Sequence, residues 1–279
     1  MITANLDKWF RIGIKESQLG NMPRGSRRKG AVKNELRKAD LHIHTTHSDG
    51  TASVPKLLQH VAAHTELRII AVTDHDTITG AKEAYRLARE FGVEVVIGEE
   101  VSTAEGHLLA LFIDSYLPPG RPVAETIAAV HAQGGLCVAA HPFDQGIPSL
   151  GAAGLLDHCT GARSGAWPLD AIESFNAGVF WPRRACNGVA QRMADERKIP
   201  GVGGSDAHSL MTVGSGYTLF RGNSANDLYQ AILQNQVAWG GTCWNFQHYL
   251  NIGWLYFRQR TLRGAIKLLR SDGAIPLQP

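Results

Sequence analysis

The sequence predicts an α/β fold in which a sheet covered by helices can close into a barrel. Two observations predict it. From Ala39 onward, short apolar runs alternate with segments of helical periodicity, the pattern of repeated strand–helix units and a parallel sheet. The polar residues collect at the C-terminal ends of the predicted strands, the face where parallel barrels gather functional groups from distant positions. Size agrees: 279 residues, 44% of them hydrophobic, suit one barrel or two small domains with a sizeable core.

Strands are predicted at Ala39–His44, Arg68–Thr73, Val93–Gly98, His107–Ile113, Leu136–Ala140, Asp170–Ser174 and Gly201–Gly204. Helices are predicted at Ser53–Thr65, Thr77–Phe91, Pro122–Gln133, Arg183–Lys198 and Ser224–Gln234. Ser53 ahead of Pro55 suits a helix start, and Gly92 after Phe91 suits a stop. His42 and His44 end the first strand, and Asp74, His75 and Asp76 the second. Glu99 and Glu100 end the third, His141 the fifth, Glu173 and Asn176 the sixth, and Asp206 and His208 the last.

The chain is read in three parts: a basic extension over 1–38, a barrel over 39–240 and a basic amphipathic tail over 241–279. Residues 1–38 hold ten Lys/Arg against three Asp/Glu, and residues 241–279 five against one. The net charge is +3, so the middle is acidic. Charge runs are usually solvated, so the arm is read as a solvated extension, with nucleic-acid contact as the rival reading. The aromatic-rich tail from Trp244 to Arg270 reads as a cap on the barrel bottom, ahead of a subunit contact or a membrane-surface helix. Cys137, Cys159, Cys186 and Cys243 are widely spaced, with no CxxC pair. That spacing excludes a zinc ribbon or redox dithiol and suits reduced, buried thiols in a cytoplasmic protein. No apolar run is long enough to span a membrane, and no secretory leader is expected.

Residues two apart in a strand face the same side, so His42 and His44 share one space. Alone, an HxH is a weak signal. Its companions strengthen it: Thr46-His47-Ser48-Asp49-Gly50, Thr73-Asp74-His75-Asp76, Gly98-Glu99-Glu100-Val101-Ser102, Gly106-His107, Ala140-His141-Pro142 and Ser205-Asp206-Ala207-His208. Burying that many ionisable groups together costs several kcal/mol per unpaired charge on the order-of-magnitude scale, a difficulty that divalent cations remove by turning them into ligands. A nitrogen and oxygen donor set without thiolate suits Zn, Mn or Fe.

This ordered series resembles the PHP family, named for polymerase and histidinol phosphatase, from about Asp40 to Tyr217, and is nearest to its short stand-alone phosphoesterases. The resemblance implies a distorted (β/α)7 TIM-like barrel, here with N- and C-terminal extensions, holding two or three divalent metal ions. It implies a first metal held by His42, His44, Glu100 and Asp206, a second by the bridging Glu100 with His107 and His141, and a third by His75, His208 and Asp49, with His47 in reserve. Asp74 and Asp76 are expected to orient imidazoles behind these ligands. A metal-activated water would attack phosphorus, and His208, His47 or a metal-held water would give a proton to the leaving oxygen.

The resemblance also implies the substrate class, a small phosphate ester on a nucleotide or oligonucleotide end. Arg183, Arg184 and Asn176 near the sixth strand are candidate substrate contacts. The rival readings are an exonuclease on RNA or DNA ends and a non-catalytic, metal-stabilised binding module. His60, His64, His131, His158 and His248 lack a ligand motif and are read as structural. The sequence leaves the oligomeric state open.

Overall fold

The computed structural model describes residues 36–159, 169–180, 183–255 and 257. They fall into two compact units divided after Trp244. In the first, the strands are β1 (Leu36–Asp40), β2 (Leu67–Val72), β3 (Glu94–Ser102), β4 (His107–Leu111), β5 (Leu136–Ala139), β6 (Ala171–Asn176), β7 (Gly201–Gly204), β8 (Gly216–Arg221) and β9 (Ala238–Gly241). The helices are α1 (Val54–His64), α2 (Thr79–Phe91), α3 (Val123–His131), α4 (Gly151–Cys159), α5 (Ala185–Arg197) and α6 (Ala225–Leu233). The strands form one sheet in the order β7-β6-β5-β4-β3-β2-β1-β8-β9, curled into a nearly closed barrel.

The expectation of an all-parallel sheet needs correction. β1, β2 and β3 pair in parallel, as do β5, β6 and β7. β4 runs antiparallel between β3 and β5, and β8 antiparallel between β1 and β9. For β4 the reason is connection length. Only residues 103–106 join it to β3, whereas a parallel crossover needs about a dozen residues or more. β8, β9 and α4 were not anticipated. Glycines at Gly216, Gly240, Gly241, Gly151 and Gly154 dilute the periodicity that would announce them. β1 lies earlier than expected because Arg37, Lys38 and Ala39 pair with Phe220, Leu219 and Thr218 of the unanticipated β8.

Strand alternation divides the apolar residues between two faces. Ile70, Val72, Val95, Leu108, Ala110 and Cys137 pack with Leu57, Leu58, Ala81, Ala84 and Ile127 of the helical layer. Ile69, Ala71, Val96, Leu109, Leu111, Leu136 and Val138 pack with Leu228 and Ile232 of α6. Strands buried on both faces read as continuous apolar runs, which is why β5 is legible as Leu-Cys-Val-Ala. α6 opens with a capping box: Asp227 N donates to Ser224 Oγ at 3.2 Å, and Ser224 N donates to Asp227 Oδ2 at 3.1 Å. α2 stops at Gly92, whose φ is 66°, a conformation that favours glycine.

In the second unit residues 246–255 are helical, with Phe246, Leu250 and Trp254 exposed. The remainder of the predicted amphipathic tail, most of the basic arm and Cys159's side chain lie outside the described residues. Cys137 and Cys186 are buried free thiols and Cys243 is half-buried; burial pushes the Cys186 thiol up to about 12. Among the described residues no helix is long and apolar enough to cross a membrane.

One side chain helps to close the barrel seam. Thr218 Oγ1 accepts from Gly203 N at 2.9 Å and donates to Gly203 O at 2.9 Å, joining β8 to β7 where no ladder runs between them. The near-isosteric Thr218→Val strands a buried N–H and C=O. It is expected to destabilise the protein by about 1–3 kcal/mol, measured as a lower denaturation midpoint at unchanged m-value.

Candidate metal centre

The clustered side chains come from one end of the barrel. The chain stays extended beyond β1, where Ile43 bridges Ala207, and this carries His42 and His44 to the same opening as His75 after β2 and Glu100 near the end of β3. His141 follows β5, and Asp206 and His208 follow β7. His107 is the first residue of β4, yet it belongs at this end because β4 runs the other way. His141 and Asp206 sit at positive φ, 28° and 54°. Such backbone is uncommon outside glycine and costs on the order of 1–3 kcal/mol where residues are held in it.

Glu100 is the centre of the cluster. Its Oε2 lies 3.1 Å from His42 Nε2, 3.2 Å from His44 Nε2 and 3.3 Å from His75 Nδ1. Its Oε1 lies 2.9 Å from both His107 Nδ1 and His141 Nε2. Asp206 Oδ1 stands 3.4 Å from His42 Nε2 and 3.2 Å from His44 Nε2. Asp49 Oδ2 is 3.2 Å from His208 Nε2 and 3.9 Å from His75 Nε2, and Asp49 Oδ1 is 3.6 Å from His44 Nδ1. The groups of potential ligand atoms overlap more than expected: His44 joins Asp49, His75 and His208, and His141 joins His42 and Asp206.

The electrostatics follow from burial. Burial opposes charge on His44, but Asp206 and Glu100 beside it outweigh that and raise its imidazole to about 10. His42 is likewise raised against its burial, by Asp206, Glu100 and Glu173. Burial would raise Glu100 and Asp206, but His42 foremost holds both well below the usual carboxylate range. The carboxylates therefore demand positive charge at this spot, as protons on imidazole or as a cation.

A second layer fixes the rings. Glu173 Oε1 is 3.1 Å from His42 Nδ1, so that nitrogen donates and Nε2 faces Glu100 and Asp206. Glu173 Oε2 accepts from His141 N at 2.7 Å and Asn176 Nδ2 at 2.9 Å. His208 Nδ1 donates to Asp206 O at 2.8 Å. Asp40, fully buried, accepts from Ser205 N at 2.9 Å and Gly214 N at 2.8 Å, and burial raises it to about 6. Sequence reasoning gave no role to Glu173 or Asp40. The signal for Glu173 was present, an acidic residue near the end of a predicted strand. As alternation requires, Glu99 faces away from Glu100 and accepts from Leu117 N at 3.1 Å; burial pushes it up to about 8.

Several expected residues stand elsewhere. His47 Nε2 is 2.6 Å from Glu83 on α2 and joins none of the ligand groups among the described residues. Asp74 accepts from Thr45 N, Thr45 Oγ1 and Ser48 Oγ, each at 2.7 Å; it pins the loop bearing Asp49 instead of orienting an imidazole. Asp76, at φ 50°, accepts from Ser102 N at 2.8 Å. Arg183 pairs with buried Asp144 at 3.2 Å. Arg184 donates to Trp244 O, tying α5 to the end of the first unit. Asn176 is fully buried and donates to Glu173 and Asp206, at 2.9 and 3.2 Å, so it holds carboxylates and is not exposed to a substrate. Of the lone histidines, His131 pairs with Asp170 at 2.8 Å.

Comparison with known proteins agrees with this geometry. The PHP domain model matches residues 40–147 and the PHP-associated model residues 185–237. An uncharacterized protein of Methanocaldococcus jannaschii is 38% identical over 150 residues, covering 50% of this chain and 82% of that one. The chain belongs to the PHP family. A 5′-3′ exoribonuclease of Haemophilus influenzae is 35% identical over 127 residues, 43% of this chain and 46% of its own length, so under half of that relative is matched. In fold, the chain resembles a two-domain Bacteroides vulgatus protein described as containing a predicted PHP-like metal-dependent phosphoesterase, with a TM-score of 0.58 at 18% identity, covering 78% of this chain and 70% of that one.

The PHP donor set fits a divalent cation on two observations. His44 is buried and neither ring nitrogen makes a directed hydrogen bond, although Nε2 stands 3.2 Å from oxygens of both Glu100 and Asp206, as groups do that converge on a shared cation and not on each other. The separations of His42 and His44 Nε2 from Glu100 Oε2 and Asp206 Oδ1, 3.1–3.4 Å, match tetrahedral ligand edges of roughly 3.3–3.4 Å, as expected for bonds of about 2.0–2.1 Å. Glu173→Gln removes the carboxylate that holds His42 Nδ1. It is expected to weaken divalent-metal affinity about 10–100-fold, read by competitive titration against a fluorescent chelator.

Proposed function

We propose that this protein is a metal-dependent phosphoesterase that hydrolyses phosphate monoesters, with nucleotides or oligonucleotide ends as the substrate class. The observation that carries the reading is Glu100, a buried carboxylate whose two oxygens face separate sets of imidazoles. In this reading His42, His44, Glu100 and Asp206 hold one cation; Glu100, His107 and His141 hold a second; and Asp49, His75 and His208 hold a third. Divalent cations there would supply Lewis acidity to a phosphoryl oxygen and acidify an attacking water.

The residues of the chain do the rest. Glu173 and the Asp206 carbonyl fix the tautomers of His42 and His208, turning Nε2 of His42 toward Glu100 and Asp206 and Nε2 of His208 toward Asp49. Asn176 holds the Asp206 carboxylate in place. Because His47 is engaged by Glu83, and His208 commits its Nδ1 proton to the Asp206 carbonyl with Nε2 assigned to the third cation, a water held at the cluster is our candidate for giving a proton to the leaving oxygen. A nucleophilic side chain is not required. The exoribonuclease name of the Haemophilus influenzae relative favours a second reading, cleavage of phosphodiesters at RNA ends. The intact set of donors supports an enzyme over a binding module.

The test is phosphate release from mononucleotides and from a 5′-phosphorylated RNA, after chelation and reloading with manganese, iron or zinc. Release of inorganic phosphate that depends on bound metal is the expected result, and a metal-loaded protein inert toward every ester would overturn the reading. His42→Ala and Asp206→Ala are each expected to lower metal content and abolish hydrolysis while leaving the far-UV circular dichroism unchanged. Turnover of RNA that falls steeply with salt would favour the nuclease reading, since each phosphate contact contributes to the salt slope.

A further inference from the structure

At the end of β5 away from His141, three side chains with metal-binding atoms meet. His131 is the last residue of α3, Cys137 is the second residue of β5, and Asp170 directly precedes β6. An imidazole nitrogen, the Cys137 sulfur and a carboxylate oxygen all lie within 4.8 Å of one another. β5 and β6 run in parallel, so the two strands that begin here lead on to His141 and Glu173 at the Glu100 cluster.

The frame around the three donors is well fixed. Asp170 N donates to Cys137 O at 2.9 Å, and Cys137 N donates to Asp170 Oδ2 at 2.7 Å. His131 Nε2 lies 2.8 Å from the same carboxylate oxygen. Cys137 is fully buried, whereas the side chains of His131 and Asp170 are 15% and 13% exposed. The group is therefore closed by sulfur on the core side and reached by water on the other, which gives a cation an entry path and room for a solvent ligand.

An ion pair uses only His131 and Asp170; the buried sulfur beside them supplies a third donor. Sulfur, nitrogen and oxygen together suit zinc, and a thiolate disfavours magnesium, calcium and manganese. The Glu100 cluster differs in kind, since no sulfur joins it among the described residues. Zinc bonds of about 2.0–2.3 Å in a tetrahedron set ligand edges of roughly 3.3–3.6 Å. His131 Nε2 would then draw back from Asp170 by only about 0.5 Å, with both Cys137–Asp170 hydrogen bonds kept. The thiol loses its proton to water as the metal binds.

We propose that His131, Cys137 and Asp170 form a zinc site separate from the Glu100 cluster, with water as the fourth ligand, that clamps the end of α3 to the starts of β5 and β6. Three protein ligands and an open position make the clamp exchangeable, so its occupancy follows free zinc.

Cobalt(II) is the probe, because a thiolate ligand gives it a charge-transfer band in the near ultraviolet that nitrogen and oxygen donors do not. The full chain, stripped by chelation and titrated with cobalt, is expected to develop that band. Cys137→Ala is expected to abolish it, while Cys186→Ser and Cys243→Ser retain it. After zinc loading, elemental analysis is expected to find one metal fewer per chain in Cys137→Ala than in the wild type. Asp170→Asn keeps an acceptor for Cys137 N and serves if Cys137→Ala fails to fold; the band is then expected to need more cobalt. Absence of the band in the wild type, its survival in Cys137→Ala, or an unchanged titration in folded Asp170→Asn overturns the proposal. Neither readout involves turnover, so failure here leaves the phosphoesterase reading intact.

Discussion

The structure is organised around one buried carboxylate. Glu100 is 1% exposed and has five imidazoles within 3.3 Å of its oxygens. A carboxylate in that position is tolerable only if positive charge stays beside it. The surrounding architecture serves that condition. Glu173 and Asn176 keep the imidazole and carboxylate neighbours in register. Asp40 ties the start of the Ser205–His208 loop to the end of β1. Asp74 fastens the loop that carries Asp49.

The barrel accommodates this crowding through close backbone approach. Gly204 lies against His42, where a Cβ would come within 2.6 Å of the His42 Cβ. Gly204 thus has a packing reason: it lets β7 abut the segment that carries His42. The cavity beside Leu36, Lys38 and Arg68 lies at the other end of the strands and contains none of the clustered residues.

Much of this was legible in the sequence, and the reasons differ by element. β2, β5 and β7 and the five anticipated helices are found within a few residues of their expected bounds, since buried apolar runs and amphipathic periodicity mark them strongly. The reversed direction of β4 was not read, although the brevity of residues 103–106 already implied it. His42, His44, Glu100 and Asp206 could be named because imidazoles and carboxylates ending successive strands have few structural uses. The partners of His47, Asp74 and Arg183 could not, because each is decided by a contact distant in sequence, with Glu83, Thr45 and Asp144 respectively. Spacing along a chain says which residues share a face; it does not say which neighbour a long side chain finds across a loop.

The reversal of β4 has a consequence for the order in which the site assembles. Glu100 and His107 meet across a hairpin only 7 residues apart in sequence, whereas His42 reaches Glu100 over 58 positions and Glu173 over 131, and His208 reaches Asp49 over 159. The entropy of closing a loop grows with its length, and hairpins form in about 1–10 μs. The Glu100–His107 pair is therefore the part of the site that local folding can make early, before the barrel closes. The remaining donors arrive only with long-range strand pairing, so the charge that Glu100 needs is supplied in stages as the chain folds.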